Sequence, residues 1–187
     1  NGFQYRCIVN GTCFPSTTSN AAVLTINTLP AISAGPINST ICLNGNTSFS
    51  VTATGTGITY QWQSSVNGIA WSSLSNNVTY AGVTSNTLNI TSASSNLNGI
   101  LYRCVVSGTC SPSVNSNSAI LTVNNPTAIT GNPQNVTICQ NANAGFVVSA
   151  TGTGLTYQWQ VNTGSGFNDI TNGGVYSGAT TNGLTLT

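Results

Sequence analysis

Charge is almost missing from this sequence. Lys and Arg together number two, Asp and Glu one, and His none, so charged residues are 2 % of 187, where soluble domains average about 25 %. The two cations are Arg6 and Arg103, and the one anion is Asp169. General acid–base catalysis draws on His, Asp, Glu or Lys held near a reacting group, and only Asp169 could serve, so the chain reads as no enzyme. Zinc and calcium sites need clustered His, Cys or carboxylate ligands; no such cluster can be drawn, and neither metal nor cofactor is expected. Nucleic-acid partners are disfavoured too, because phosphate contacts come mainly from Lys and Arg. No apolar run approaches the roughly 18 residues of a membrane span. The lack of Lys also excludes Lys–Asn isopeptide crosslinks, which leaves Cys as the only source of covalent reinforcement.

What is present is Asn, Ser and Thr, more than a third of the chain, on a formal net charge of +1. Such a surface is hydrated but nearly uncharged, and a net charge near zero favours self-association. Val, Ile and Leu recur with Tyr and Trp in short alternating runs, the pattern of half-buried strands. No segment offers ten residues of helical period. The chain reads as all-β.

It also repeats itself. "NGFQYRC" at Asn1–Cys7 returns as "NGILYRC" at Asn98–Cys104, an offset of 97 that also aligns Cys13 with Cys110, Cys42 with Cys139 and Trp62 with Trp159. Over the first 63 residues 38 are identical at this offset, and after Trp159 the offset falls to 96. A period this long exceeds solenoid units of about 20–50 residues and matches one whole β-sandwich. The expected organisation is residues 1–27 as the C-terminal part of one domain (strands F and G), 28–35 as linker and 36–124 as a complete domain. A second linker at 125–132 then leads to the N-terminal part of a further domain (strands A to E) at 133–187. The linkers carry the Pro and Gly expected between sandwiches. Their shortness predicts domains held end to end with restricted freedom.

Within the complete copy, "TSFSVTAT" (Thr47–Thr54) sends Phe49, Val51 and Ala53 to one side. "ITYQWQ" (Ile58–Gln63) turns Tyr60 and Trp62 inward, "NTLNIT" (Asn86–Thr91) buries Leu88 and Ile90, and "LNGILYRCVV" (Leu97–Val106) sends Tyr102 and Cys104 inward. These phrases resemble an immunoglobulin-like sandwich. Trp62 and Trp159 stand where the core Trp of strand C belongs, and Tyr102 and Tyr5, two residues before a Cys, look like the tyrosine corner of strand F. The position that would pair with Cys104 on strand B is Val51, so the inter-sheet disulfide is missing. More closely, "TYQWQ…YRCVVSGTC…SNSAILTV" resembles the Ig-like repeats of very large secreted surface proteins of Bacteroidota. Many of those are clients of type IX secretion that serve as adhesins or cell-surface fibres. That resemblance implies tandem Ig-like domains at the cell surface and copies of itself as partners.

Six Cys in such a chain suggest an oxidising, extracellular setting. In the sandwich the resemblance implies, Cys42 lies near the C-terminal end of its domain, Cys104 mid-strand in the core, and Cys110 in the F–G loop at the opposite end. At about 3.3 Å per residue, Cys42 and Cys110 of one domain stand beyond the roughly 7 Å that a disulfide spans. One expectation pairs the Cys42/Cys139 type with the Cys13/Cys110 type between neighbouring domains, leaving Cys7 and Cys104 as buried thiols. The other is a bridge within each hairpin, Cys7–Cys13 and Cys104–Cys110.

Residues 1–27 and 130–187 would together make one complete domain from two chains. Either the chain was cut from a continuous array, the preferred reading because large repeat proteins run on for many copies, or it is a subunit that completes its neighbour by strand addition. Trp71 and its near-match Phe167 offer a possible exposed aromatic contact for a sugar ring, although packing over the sheet margin is the more ordinary role. Arg6 and Arg103 are expected to point outward. The functional expectation is a structural repeat of an extracellular fibre or stalk, with an adhesin module recognising glycan or protein as the alternative.

Overall fold

A computed structural model describes residues 1–187. Apart from one turn of 3-10 helix at Ser95–Leu97, all regular structure is β-strand. No helix is long and apolar enough to cross a membrane. Two compact units make up the chain: Asn1–Ser39, Asn46–Thr91 and Gly99–Leu121 in the first, and Thr40–Gly45, Ser92–Asn98 and Thr122–Thr187 in the second. The repeat read at 36–124 thus contributes to both units.

The first unit opens with four short strands, β1 (Gln4–Tyr5), β2 (Ile8–Val9), β3 (Thr17–Thr18) and β4 (Ala22–Val23), in which β1 pairs β4 and β2 pairs β3. Next along the chain come β5 (Ala31–Ala34), β6 (Ser39–Cys42), which belongs to the second unit from Thr40 on, β7 (Thr47–Ser50), β8 (Thr52–Thr54), β9 (Thr59–Ser65), β10 (Ser72–Ser73), β11 (Tyr80–Ala81) and β12 (Thr87–Ile90). They are followed by β13 (Leu101–Ser107), β14 (Val114–Asn115) and β15 (Ala119–Asn124), which passes into the second unit at Thr122. One sheet has β10, β9, β13 and β15 as successive neighbours, and the other has β11, β12 and β7.

The two sheets exist because their strands alternate. In β13 Tyr102, Cys104 and Val106 are fully buried while Arg103 and Val105 are not, the period-2 pattern of a strand with one face in a core. An unbroken antiparallel ladder joins β13 to β9, from Leu101 opposite Ser65 to Ser107 opposite Thr59, with Cys104 directly across from Trp62. From the facing sheet Phe49 stacks on Tyr102 at 5.1 Å between ring centres. Leu88 and Ile90 fill the same core. The Trp62 indole N–H donates to Ser85 O at 3.0 Å, so this large side chain is buried with its polar atom satisfied.

Three local features differ from the sequence reading. The phrase Thr47–Thr54 is not one strand: β7 pairs β12 whereas β8 pairs β5, and the chain changes partner at buried Val51, whose N–H donates to Asn86 O. Residues 28–35, expected as linker, contain β5, which pairs with β8 (Ala31 opposite Thr54) and carries a bulge between Ile32 and Ala34. The Tyr102 hydroxyl shares a 3.1 Å hydrogen bond with the Tyr80 hydroxyl, so its partner is a side chain, whereas a tyrosine corner uses backbone.

Loops that have no charges are held by amides. Asn67 Oδ1 accepts from Ile69 N and Ala70 N, Asn77 Oδ1 from Thr79 N and Tyr80 N, and Asn76 Oδ1 from Val83 N. Asn side chains that mimic a backbone turn in this way give the Asn-rich composition a structural use.

The second unit carries β16 (Ala128–Gly131), β17 (Ala144–Val147), β18 (Ser149–Thr151), β19 (Gln160–Asn162), β20 (Phe167–Asp169), β21 (Tyr176–Ser177) and β22 (Gly183–Leu186). β17, β22 and β21 form one sheet, and β19 pairs only β20. Ile170, Ala179 and Leu184 make a small buried cluster, against which Phe146, Trp159 and Tyr176 pack half-buried.

Burial pushes the Cys104 thiol up from 9.0 to about 11. The unfolded chain releases this proton near 9.0 and the folded chain holds it to about 11, so stability falls as pH rises across that window. The slope approaches 1.4 kcal/mol per pH unit, about the value for one proton. In the reduced, folded protein at pH 8, a thiol reagent is expected to label exposed Cys7, Cys13, Cys42 and Cys139 and spare Cys104, as read by mass spectrometry. Equal labelling of Cys104 would contradict the buried-thiol assignment.

Candidate functional site: linker clasps and an open groove

Thr28 and Asn125, the first residues of the two stretches expected as linkers, are each bound to a turn. Thr28 N donates to Thr56 Oγ1 at 3.0 Å, the two hydroxyls meet at 3.1 Å, and Thr56 N donates to Thr28 O at 3.2 Å. Thr109 N donates to the Thr56 carbonyl at 2.9 Å, bringing in the loop that precedes Cys110. Glycine makes the approach possible. Gly57 has φ +59, and a Cβ there would stand 2.6 Å from Thr109 Oγ1; a Cβ on Gly55 would stand 3.0 Å from Leu29 O. Ninety-seven residues later the clasp recurs: Asn125 N donates to Thr153 Oγ1 at 2.9 Å and Thr153 N to Asn125 O at 3.2 Å. Gly152, at φ +144, again leaves room for the linker backbone at Thr127.

Trp71 and Arg103 form one unit on the sheet face. The guanidinium lies 4.2 Å over the indole ring, while its Nε donates to Gln63 Oε1 at 2.9 Å and the indole N–H donates to Gly68 O. This is a cation–π pair. The Trp71 ring, for which a sugar contact was the alternative to packing over the sheet margin, carries Arg103 on one face. Phe167, by contrast, is 69 % exposed.

The core signature divides in two. Trp62 and Tyr102 are fully buried, whereas Trp159 is half-buried and Tyr5 is 57 % exposed. Beside Trp159 lies a cavity of about 360 Å³ lined by Phe146, Val161, Ile170, Tyr176, Leu184 and Leu186 among others, and a second of about 280 Å³ touches its other side at Tyr157 and Val148. Cys7, expected to be buried like Cys104, is exposed along with Cys13, Cys42 and Cys139; Cys110 is half-buried. All six cysteines are unpaired in the structure.

Sequence reasoning missed the Thr28–Thr56 clasp, the Tyr80–Tyr102 pair and the Arg103–Trp71 stack. The only available signal was recurrence: Thr56 and Thr153 occupy the same place in two identical "TGTG" turns.

Comparison with known proteins gives the frame for these sites. A family model described as a domain of unknown function (DUF8696) matches residues 33–125. No curated protein sequence matches the chain. Among solved structures, the I-band fragment I67–I69 of titin superposes with TM-score 0.70 at 15 % identity, over 98 % of this chain and 63 % of that fragment. Sidekick-1 immunoglobulin domains 1–5 give 0.62 at 17 % identity, over 100 % of this chain and 40 % of theirs. Extracellular domains 3–5 of Drosophila OTK give 0.55 at 15 % identity, over 98 % and 60 %. The chain thus spans about three-fifths or less of each of these structures. The fold is tandem immunoglobulin-like. At such identities the likeness speaks for fold alone, so function must be argued from the clasps and the groove of these Ig-like repeats.

Replacing Thr56 by Val removes the acceptor of the Thr28 amide. It is expected to lower stability by about 1 kcal/mol in urea unfolding and to speed exchange of the Thr28 amide, with exchange along β9 unchanged. Unaltered Thr28 exchange would contradict the clasp.

Proposed function

We propose that this chain is a structural repeat segment of an extracellular fibre or surface stalk, whose Ig-like units bury their own cores and whose linkers are tied down by side-chain clasps. The observation that carries this reading is the recurrence of the clasp, Thr28–Thr56 and Asn125–Thr153, at the sequence period of 97. The pair of bonds shared by both copies, backbone amide to Thr hydroxyl and Thr amide back to the carbonyl, suits a load-bearing array better than a binding module. Near-absence of charge and the resemblance of the strand phrases to secreted surface repeats of Bacteroidota support the same reading, with domains bounded at 1–27, 36–124 and 133–187.

Disulfides between neighbouring domains are the covalent part of the proposal. Cys42 precedes Leu43, whose N–H donates to Asn124 O just before the second linker, and Cys110 follows Thr109, which is bonded to the turn that seats the first. Each thiol type therefore flanks a linker junction, while Cys104 sits in the core. The adhesin alternative is weakened at Trp71, whose ring face is taken by Arg103, and retains Phe167 as its exposed aromatic.

The test is native material examined by negative-stain microscopy and by denaturing gels with and without reductant. Filaments that survive pH 4 to 8 and high salt are expected, because almost nothing titrates or is screened there. Bands that collapse on reduction are expected if neighbours are joined by sulfur. Dissolution by salt alone, or saturable glycan binding by the chain with no filaments, would overturn the reading.

A further inference from the structure

Asparagine deamidates most readily when glycine follows it, and residues 36–124 hold three such pairs: Asn44–Gly45, Asn67–Gly68 and Asn98–Gly99. The reaction is intramolecular. Hydroxide removes the glycine amide proton, the freed nitrogen attacks the asparagine Cγ, and the side-chain nitrogen leaves as ammonia. Water then opens the succinimide at either carbonyl and gives Asp or isoAsp. Glycine favours the attack because it has no Cβ and its backbone turns freely. Two things stop it: a glycine N–H that is already donated, and an asparagine side chain held away from that nitrogen.

The glycine amide is engaged at all three pairs. Gly45 N donates to Cys42 O at 2.9 Å, Gly68 N to Ser65 Oγ at 2.9 Å and Gly99 N to Leu121 O at 2.8 Å. The asparagine side chain is held at two of them. Asn98 Oδ1 accepts from Val123 N at 2.9 Å, and with ψ 125 the residue is extended, which turns Gly99 N away from its side chain. Asn67 Oδ1 accepts from Ser65 Oγ, Ile69 N and Ala70 N. Asn44 is fixed through its main chain instead: Asn44 N donates to Ala93 O at 2.8 Å and Ala93 N to Gly45 O at 2.9 Å, so both residues of the pair are tied to buried Ala93.

We propose that Asn44, Asn67 and Asn98 are latent deamidation sites, which the folded repeat keeps closed by engaging the following glycine amide and which react only where the chain opens. They differ in what must open. Gly99 N is bonded at Leu121, on the strand β15 that pairs with β13, so freeing it means parting those strands. Gly45 N closes a turn that Ala93 bridges. Gly68 N depends on a single hydroxyl. Ser65 is 5 % exposed, and its Oγ accepts from both Asn67 N and Gly68 N while donating to Asn67 Oδ1. Ser65 is the positioning residue of this loop site.

The consequence is large in a chain of so little charge. Each conversion adds one carboxylate, and three would carry the formal net charge from +1 to −2. IsoAsp at position 98 also lengthens the main chain by a methylene between the groups that bond Val123 and Leu121, so the corner cannot close as before. A repeat that stays open is therefore marked irreversibly, while a closed one keeps its neutral surface. This chemistry needs only a folded repeat and holds whatever the chain's task.

The test is ageing of reduced chain 1–187 at pH 8, folded in buffer or unfolded in guanidinium. Conversion is read by mass spectrometry of chymotryptic peptides, which separate the three sites. In the folded chain Asn98 is expected to convert more than about a hundredfold slower than in the unfolded chain, because only the opened fraction reacts. Asn67, on a loop, is expected to be about tenfold slower. Ser65→Ala is expected to speed Asn67 at least about fivefold and leave Asn44 and Asn98 at their former rates, since it frees one glycine amide and opens no strand. Equal conversion of Asn98 in folded and unfolded chain overturns the proposal. A folded Ser65→Ala chain whose Asn67 converts no faster does so too. Amide exchange along β9 and β13 shows whether that variant is folded; if it is not, the folded-to-unfolded ratios of the unsubstituted chain decide alone.

Discussion

The β9–β13 ladder is the constraint on which the rest of the structure depends. It sets Cys104 across from Trp62 and, through the alternation of β13, puts Tyr102 under Phe49. Trp62 then reaches the opposite loop at Ser85, while on the outer face Arg103 is carried over Trp71. Burying an aromatic core of this size contributes on the order of a few kcal/mol per large side chain. With three formal charges in the chain, no network of ion pairs can substitute for it. Beside Trp159 the corresponding aromatic residues, Phe146 and Tyr176, are half-buried.

Polar satisfaction without charge is the second theme. Asn67, Asn76 and Asn77 fasten loops, Ser65 accepts from Asn67 N and Gly68 N, and Thr28 with Thr56 fastens a linker. The same devices recur in the second unit, where Asn172 Oδ1 accepts from Ala179 N and Gln158 Nε2 donates to Trp159 O and Ile170 O. Neutral donors and acceptors do not titrate near neutrality and respond weakly to salt. A surface and a loop system built this way are insensitive to modest changes of pH and salt.

The Ig-like architecture was legible because strand alternation is written into single residues: Phe49, Trp62, Leu88, Tyr102 and Cys104 were all placed inward from period alone, and all are buried. The seats of the linkers were not legible. "TGTG" looks like any turn, and only the fold brings Thr56 to Thr28 and Thr109. Ala31–Ala34 read as linker because Pro30 and Gly35-Pro36 bracket it, yet pairing with β8 makes it strand. The Arg103–Trp71 stack joins residues far apart in sequence that become neighbours only when β13 lies against the β9–β10 hairpin.

The central claim is that the β13 strand lying against β9 closes the core over Trp62. Amide hydrogen exchange on chain 1–187 tests it most directly. The account expects residues 59–65 and 101–107 to be the slowest to exchange and to be released together as denaturant is raised. Fast exchange along 101–107, or release of 101–107 well before 59–65, would contradict it.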